Sequence, residues 1–319
     1  MTAGRQKLLV TQIHPEADGV VSVELRHPQG EQLPSWEPGA HIDLHLPSGL
    51  IRQYSLCSDP ADQALYRVAV LRAQDGRGGS REVHDAGLTG RVLEISGPRN
   101  HFQLRDAQKY LLIAGGIGVT PILAMARELS RRQKPWTLIY GGRSRANMAF
   151  VDELAALDGD LELVPQDERG LPNLDLAIRG CAPDTAVYCC GPEPMLAAVQ
   201  TLCTSHLAPG ALHVERFGAA PTAAETRTGA DTEFEVELAR SGRVVTVPAD
   251  RTILDVVLDV LPGTAYSCRE GYCGTCEVAV LEGTPEHRDD VLDDEERARG
   301  DTIMICISRS SCPRLTLDL

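Results

Sequence analysis

Four cysteines constrain this chain more than any other feature: Cys268, Cys273 and Cys276 fall within nine residues, and Cys306 follows at a distance. The spacing C-x4-C-x2-C with a remote fourth cysteine is the one by which plant-type 2Fe-2S clusters are held. Three ligands on one tight loop can wrap a cluster while the fourth reaches in from a buried strand, here Thr302 to Ile307. Small residues at Ser267, Gly271 and Gly274 let backbone N–H groups approach the sulfides without side-chain bulk. A structural zinc site is the alternative, but zinc is usually held by paired Cys-x2-4-Cys knuckles and the loop has one such pair. Cys57, Cys181, Cys203 and Cys312 lack any such spacing and read as buried apolar thiols.

The rest of the chain divides by periodicity. Over the first hundred residues, short β-type runs alternate with turn signals at Val20 to His27, His41 to Leu46, Gln53 to Cys57, Tyr66 to Leu71 and Arg91 to Ser96. That spacing predicts a small antiparallel β-barrel or sandwich. From Lys109 the pattern becomes strand, glycine loop and helix: Tyr110 to Ala114, Thr120 to Arg132, Thr137 to Tyr140, Ala149 to Leu157, Ala186 to Cys189 and Pro194 to Cys203. This is βαβ periodicity and predicts an α/β domain on a parallel sheet. After a stretch without large apolar residues, Phe234 to Val247 reads as a hairpin turning at Ser241-Gly242, and Ile253 to Leu261 as a helix. The expected organisation is an antiparallel β domain over 1–104, an α/β domain over 105–222, a linker over 223–231 and a compact α+β unit over 232–319.

Strand Tyr110 to Ala114 runs into Gly115, Gly116, Ile117, Gly118, Val119, Thr120 and Pro121. Thr120 is a natural N-cap and Pro121 suits the first helical position, so free N–H groups and the helix dipole would face a pyrophosphate. Alone the turn is a weak signal. A second loop, Cys190-Gly191-Pro192, follows strand Ala186 to Cys189, and two loops at the carboxyl ends of parallel strands mark a ligand crevice. Cys190 would border a nicotinamide ring, with Cys189 packing inward. Arg143 and Arg145 follow strand Thr137 to Tyr140. They fit a 2′-phosphate, and they fit equally well as solvated loop charges.

The net charge of −14 argues against a nucleic-acid partner. Its distribution is uneven: from Glu225 to Leu319, 20 Asp and Glu stand against 10 Lys and Arg. Asp289, Asp290, Asp293, Asp294, Glu295 and Glu296 would steer docking to a basic partner, or form a solvated helix face. With no run of 18 apolar residues and no secretory leader at the start, a cytoplasmic protein without a membrane anchor is expected, acting as a monomer.

On the predicted strand Gln53 to Cys57 and just before it, Arg52-x-Tyr54-Ser55 places a cation and an aromatic ring on one face, suited to a phosphate and an isoalloxazine, though alone it reads equally as an ordinary surface pair. Five pieces then occur in one order: Arg52-x-Tyr54-Ser55-Leu56, the loop Gly115 to Pro121, Cys190-Gly191-Pro192, Glu215-Arg216-Phe217-Gly218 and the cysteine loop. In this the chain resembles the phthalate dioxygenase reductase family, which includes vanillate demethylase reductases, over essentially its whole length.

The resemblance implies an FMN-binding barrel, a nicotinamide nucleotide domain and a C-terminal β-grasp ferredoxin domain, serving a separate Rieske-type oxygenase. It implies that Arg52, Tyr54 and Ser55 hold FMN, that Ala69 and Val70 offer backbone groups to its ring, and that Arg77, Gly78, Gly79 and Ser80 receive its phosphate. Gly115, Gly116, Gly118, Thr120, Pro121, Arg143, Cys190, Gly191 and Pro192 would line the NADH site, with Phe217 near the flavin. Relatives that bind FAD typically follow a Gly-x-x-Ser stretch with an aromatic residue; Arg81-Glu82-Val83-His84 follows Ser80 here, which favours FMN. Leu71 departs from some relatives, where a basic residue is expected. A nicotinamide delivers two electrons as hydride and a 2Fe-2S cluster takes one at a time, so a flavin must stand between them. No acid–base catalytic residue is called for. Two other readings share these motifs: a reductase for a haem protein or another acceptor, and a cluster-based redox sensor without turnover.

Overall fold

The computed structural model describes residues 5–73, 78–218, 231–292 and 294–319. The expected linker over 223–231 falls outside them except for Asp231, as does Arg77. The chain divides into two compact units, Met1–Glu215 and Arg216–Leu319.

The first unit carries two sheets. Six antiparallel strands, β1 (Arg5–Ala17), β2 (Val20–Arg26), β3 (Ala40–His45), β4 (Ile51–Ser55), β5 (Tyr66–Leu71) and β6 (Val92–Asn100), lie in the order β4-β3-β6-β1-β2-β5. The sheet curls until its edges meet, through a bridge between Leu56 and Val68 and a 2.8 Å hydrogen bond from Cys57 N–H to the Arg67 carbonyl. Alternation aims Leu8, Val10, Val23, Leu25, Ile42, Leu44, Val68 and Val70 into one closed core. Helix α1 (Gly79–Asp85) sits between β5 and β6 in the chain.

Five parallel strands follow, β7 (Lys109–Gly115), β8 (Trp136–Gly142), β9 (Asp160–Pro165), β10 (Thr185–Cys190) and β11 (Leu212–Glu215), in the order β11-β10-β7-β8-β9. Their near-continuous apolar runs are those of a sheet covered on both faces. Helices α2 (Val119–Arg131) and α3 (Val151–Ala155) contribute to the apolar cluster on one face; α5 (Leu174–Arg179) and α6 (Glu193–His206) contribute to that on the other, and a short α4 (Gln166–Arg169) caps β9. The first cluster also takes in Val20, Cys57 and Ala69 from the barrel. A polar clamp adds to it: Arg67 of β5 holds both oxygens of Glu153 in α3 at 2.8–2.9 Å, and Arg127 of α2 meets the same carboxylate while donating to the Cys57 carbonyl at 2.7 Å.

The second unit is a mixed sheet in the order β13-β12-β18-β14-β16, built from β12 (Phe234–Leu238), β13 (Arg243–Val247), β14 (Glu277–Glu282), β16 (Thr302–Met304) and β18 (Arg314–Leu317). A small ladder joins β15 (Pro285–Glu286) to β17 (Arg309–Ser310). The hairpin β12–β13 and the parallel pairing of β12 with β18 make the β-grasp arrangement. Helix α7 (Ile253–Val260) covers the sheet with its apolar stripe and begins in a capping box between Thr252 and Asp255. Helix α8 (Asp294–Arg299) precedes β16.

Candidate functional site

Three local structures carry the residues that the sequence singles out. In the barrel, β4 sets Arg52 across from Leu44 and Tyr54 across from Ile42 of β3, and so on the same face of the sheet as these two. The Arg52 side chain lies against Gly79, where an added Cβ would stand 2.5 Å from Nε, so the guanidinium sits at the start of α1. Gly78 takes a left-handed conformation before that helix, and among the described residues no side chain caps it, so its first N–H groups could hold a phosphate. Ser80 instead accepts from Ala73 N–H at 3.1 Å. Burial pushes the Tyr54 hydroxyl up to about 12, against the pull of Arg52, so its ring serves as an apolar surface. Ala69 and Val70 lie side by side on β5, and the Val70 carbonyl is 2.9 Å from His84 Nε2.

In the nucleotide domain, the two loops form one structure. A Cβ on Gly118 would overlap the Cys190 carbonyl, and one on Gly115 would strike Pro192 at 2.5 Å and Met195 at 2.9 Å. These glycines let the two strand ends close on each other; Gly116, at φ +54°, faces open space and is the point where a ligand can press on the backbone. Thr120 is not the N-cap. A turn of 3-10 helix over Gly116–Gly118 takes up the entry, Gly118 occupies the cap, and the Thr120 hydroxyl donates to the Ile117 carbonyl at 3.0 Å from within the first turn of α2. Pro121 accordingly sits inside α2. Pro192 is the N-cap of α6.

Cys190 and Cys189 are both fully buried, on opposite faces of β10. Burial, then the neighbouring Glu215, holds the Cys190 thiol well above its ordinary value, so it is a neutral group. Glu215, paired with Cys190 across β10 and β11, enters the sequence reading only as part of a motif. Its carboxyl accepts the Ser55 hydroxyl at 3.3 Å and is pushed up to about 8 by burial, partly offset by that hydrogen bond. Glu215 therefore joins the flavin strand β4 to the end of the nucleotide sheet. Its signal in the sequence is an acid at the close of the short strand Leu212–Glu215. On the adenosine side, Arg145 is held by Glu168 at 3.0 and 3.1 Å, whereas Arg143 stands exposed and its carbonyl accepts Asp167 N–H at 3.2 Å.

In the second unit, Cys268, Cys273, Cys276 and Cys306 are buried and adjoin: Cys268 meets Cys273 and Cys306, and Cys306 meets Cys276. Backbone N–H groups point at the sulfurs, with Glu270 donating to Cys268 Sγ at 3.3 Å and Cys268 to Cys273 Sγ at 3.4 Å. The Cys268 contact, then burial, keeps Cys273 far above an ordinary thiol. Thiols so packed cannot ionise together unless a cation compensates them, and the donated N–H groups favour bound sulfur that carries negative charge. The donor set thus suits an iron–sulfur cluster. Cys306 does not sit on a strand as expected: β16 ends at Met304, and the chain turns, with Ile307 and Ser308 N–H donating to the Met304 carbonyl at 3.3 and 3.1 Å. That turn brings its sulfur toward the loop. The acidic run also divides, because Asp289 is 2% exposed and points inward, while Asp290 and Glu295 face solvent. Phe217 is 42% exposed.

Residues 236–311 match a 2Fe-2S iron-sulfur cluster binding domain and residues 112–201 an oxidoreductase NAD-binding domain. The chain is 46% identical over 306 residues to the phenoxybenzoate dioxygenase subunit beta of Ectopseudomonas oleovorans, covering 95% of this chain and 94% of the other. It is 38% identical to the phthalate dioxygenase reductase of Burkholderia cepacia, covering 95% and 94%. A crystallised phthalate dioxygenase reductase, described as modular for electron transfer from pyridine nucleotides to [2Fe-2S], superposes with a TM-score of 0.72 at 37% identity over 99% of this chain and 98% of that one. An intact type IV self-sufficient cytochrome P450 monooxygenase superposes at 0.89 with 39% identity; this chain covers 41% of its length.

Proposed function

The chain belongs to the phthalate dioxygenase reductase family, and on that premise we propose that it is the reductase component of a Rieske-type aromatic-ring oxygenase or O-demethylase system. The observation that carries the reading is the contact between Ser55 and Glu215, which brings the flavin strand to the end of the nucleotide crevice. When bound, FMN would supply the conversion of a two-electron hydride into single electrons, and the cluster would carry them singly.

The protein's part is positioning. Arg52 and the start of α1 would hold the FMN phosphate, Tyr54 would back the ring, and Ser55 would stand beside it with its hydroxyl on Glu215. The loop Gly115 to Pro121 receives the pyrophosphate of NADH, and Cys190 with Gly191 and Pro192 borders its nicotinamide. Cys190 is buried and neutral, so it excludes water from the transfer path without titrating. Glu168 pairs with Arg145 and so disfavours a 2′-phosphate at that residue, while Arg143 stands exposed at the same end. Cys268, Cys273, Cys276 and Cys306 hold the cluster. The exposed acids near α8 guide a basic partner, and the protein works in the cytoplasm as a monomer.

Anaerobic titration with NADH, followed by absorbance, tests this: flavin and cluster bands bleach together within about two equivalents. A chain that binds both groups yet leaves them oxidised would be the sensor and not the reductase. The fused cytochrome P450 favours a second acceptor, a haem protein, because the same three-part fold serves as part of that chain. Reduction of a Rieske oxygenase that falls as salt rises, with a P450 left oxidised, decides between them.

A further inference from the structure

Asp289 has no place in a docking surface, and its environment gives it another task. Its Oδ2 accepts the backbone N–H groups of Val291 and Leu292 at 3.2 and 3.0 Å, and its Oδ1 accepts the Ser308 hydroxyl at 3.2 Å. Ser308 is completely buried, stands two residues beyond Cys306, and accepts Arg288 N–H at 3.1 Å. From the same turn, Asp290 N–H donates to the Gly271 carbonyl at 2.9 Å, midway along the cysteine loop. Gly271 has φ +76°, and a Cβ on it would lie 3.2 Å from the Asp289 backbone and 2.7 Å from Ile307. Arg297 of α8 donates to the Asp289 carbonyl.

The Asp289 carboxylate therefore ties the turn that follows β15 to the segment that carries Cys306, and the Asp290 backbone N–H ties the same turn to the loop that carries the other three cysteines. We propose that Asp289 is a positioning residue for the cluster, holding Cys306 in register with Cys268, Cys273 and Cys276 through Ser308. This rests on the reading of those four cysteines as the ligands. The chemistry supports a carboxylate at this place. It is acceptor-only when ionised, so it can satisfy two turn N–H groups and a hydroxyl at once, whereas an amide would turn a donor toward one of them. Small shifts in the Cys306 turn alter the hydrogen bonds around the sulfurs, to which the electronic structure of a cluster responds.

The test uses the full-length holoprotein and four variants: Asp289→Asn, Ser308→Ala, Asp290→Asn as an exposed neighbour, and Cys306→Ser. Iron release to a chelator, flavin content and the electron paramagnetic resonance of the reduced cluster are read. Ser308→Ala keeps the two N–H bonds that Asp289 accepts within its own turn and removes the bridge together with the acceptor for Arg288 N–H, so iron release quickens about fivefold with shifted g values. Asp289→Asn quickens it about tenfold or more. In both, flavin content and flavin reduction by NADH hold, and combining the two changes adds little to Asp289→Asn alone. Native release and native g values in Ser308→Ala and Asp289→Asn, or an equal change in Asp290→Asn, would overturn the proposal. If Cys306→Ser keeps its full iron and native spectrum, it is the ligand assignment that fails.

Discussion

The cluster loop and the nucleotide crevice place the same demand on the chain, a close approach of backbone to a bound group, and meet it in opposite ways. Nine consecutive residues supply three of the four thiols. The crevice is assembled from Ser55, Gly118, Cys190 and Glu215, and its Ser55–Glu215 contact spans 160 positions. The loop needs neighbours such as Asp289 to keep it in shape, whereas the crevice is held by the sheet itself. Local sites are thus exposed to loss of their braces, and long-range sites to loss of fit between elements.

The sharpest break would come at Gly118. Gly118→Val drives a branched side chain into the Cys190 carbonyl and parts the two loops. Stopped-flow reduction of the flavin by NADH falls about 100-fold or more, while iron per polypeptide is unchanged. A parallel loss of iron would show that the two regions are not independent. Next is the clamp. Glu153→Ala leaves Arg67 and Arg127 half-buried without their carboxylate; because Glu153 is 34% exposed, the cost is about 2 kcal/mol, below that of a fully buried pair. Calorimetry should show the transition of the first unit lowered and that of the second unmoved.

Glu215 gives a smaller effect with a defined sign. Its carboxyl is neutral below about 8 and ionised above, so a cationic nicotinamide binds more tightly as pH rises through that value. The dissociation constant for NAD+ should fall about fivefold between pH 7 and 9, and stay flat in Glu215→Gln. Smallest is Glu168→Gln, which frees Arg145 for a 2′-phosphate. The exposed pair limits the gain in kcat/KM for NADPH to about threefold, with NADH nearly unchanged.

What can be read from the sequence follows the same divide. The cysteine spacing, the strand Tyr66 to Leu71 and the βαβ alternation are local patterns, and each stands where it is expected. Strand β1 escapes the periodicity because Pro15 and two register shifts, at Val10/Gln12 and Pro15/Ala17, interrupt its alternation. Thr120 resembles a cap because its type suits one, but a 3-10 turn forced by the approach of Gly118 to Cys190 moves the helix start. Asp289 is indistinguishable in sequence from its acidic neighbours, since inward and outward carboxylates share one letter and differ only in which turn encloses them. Glu215 cannot be paired with Ser55 until the barrel and the sheet are placed together.

The apolar cluster that takes in Val20, Cys57 and Ala69 from the barrel along with Tyr110, Leu112 and Trp136 from the sheet bears on how such chains are recombined. A crossover near residue 104 would give each parent half of a core cut to fit a different partner, and the hybrid would begin with a cavity or a clash. Beyond Glu215 the ferredoxin unit closes around its own apolar residues, Phe234 to Leu317. Barrel and nucleotide domain should therefore travel between hosts as one cassette, with the ferredoxin as the part that can be exchanged to suit a new electron acceptor.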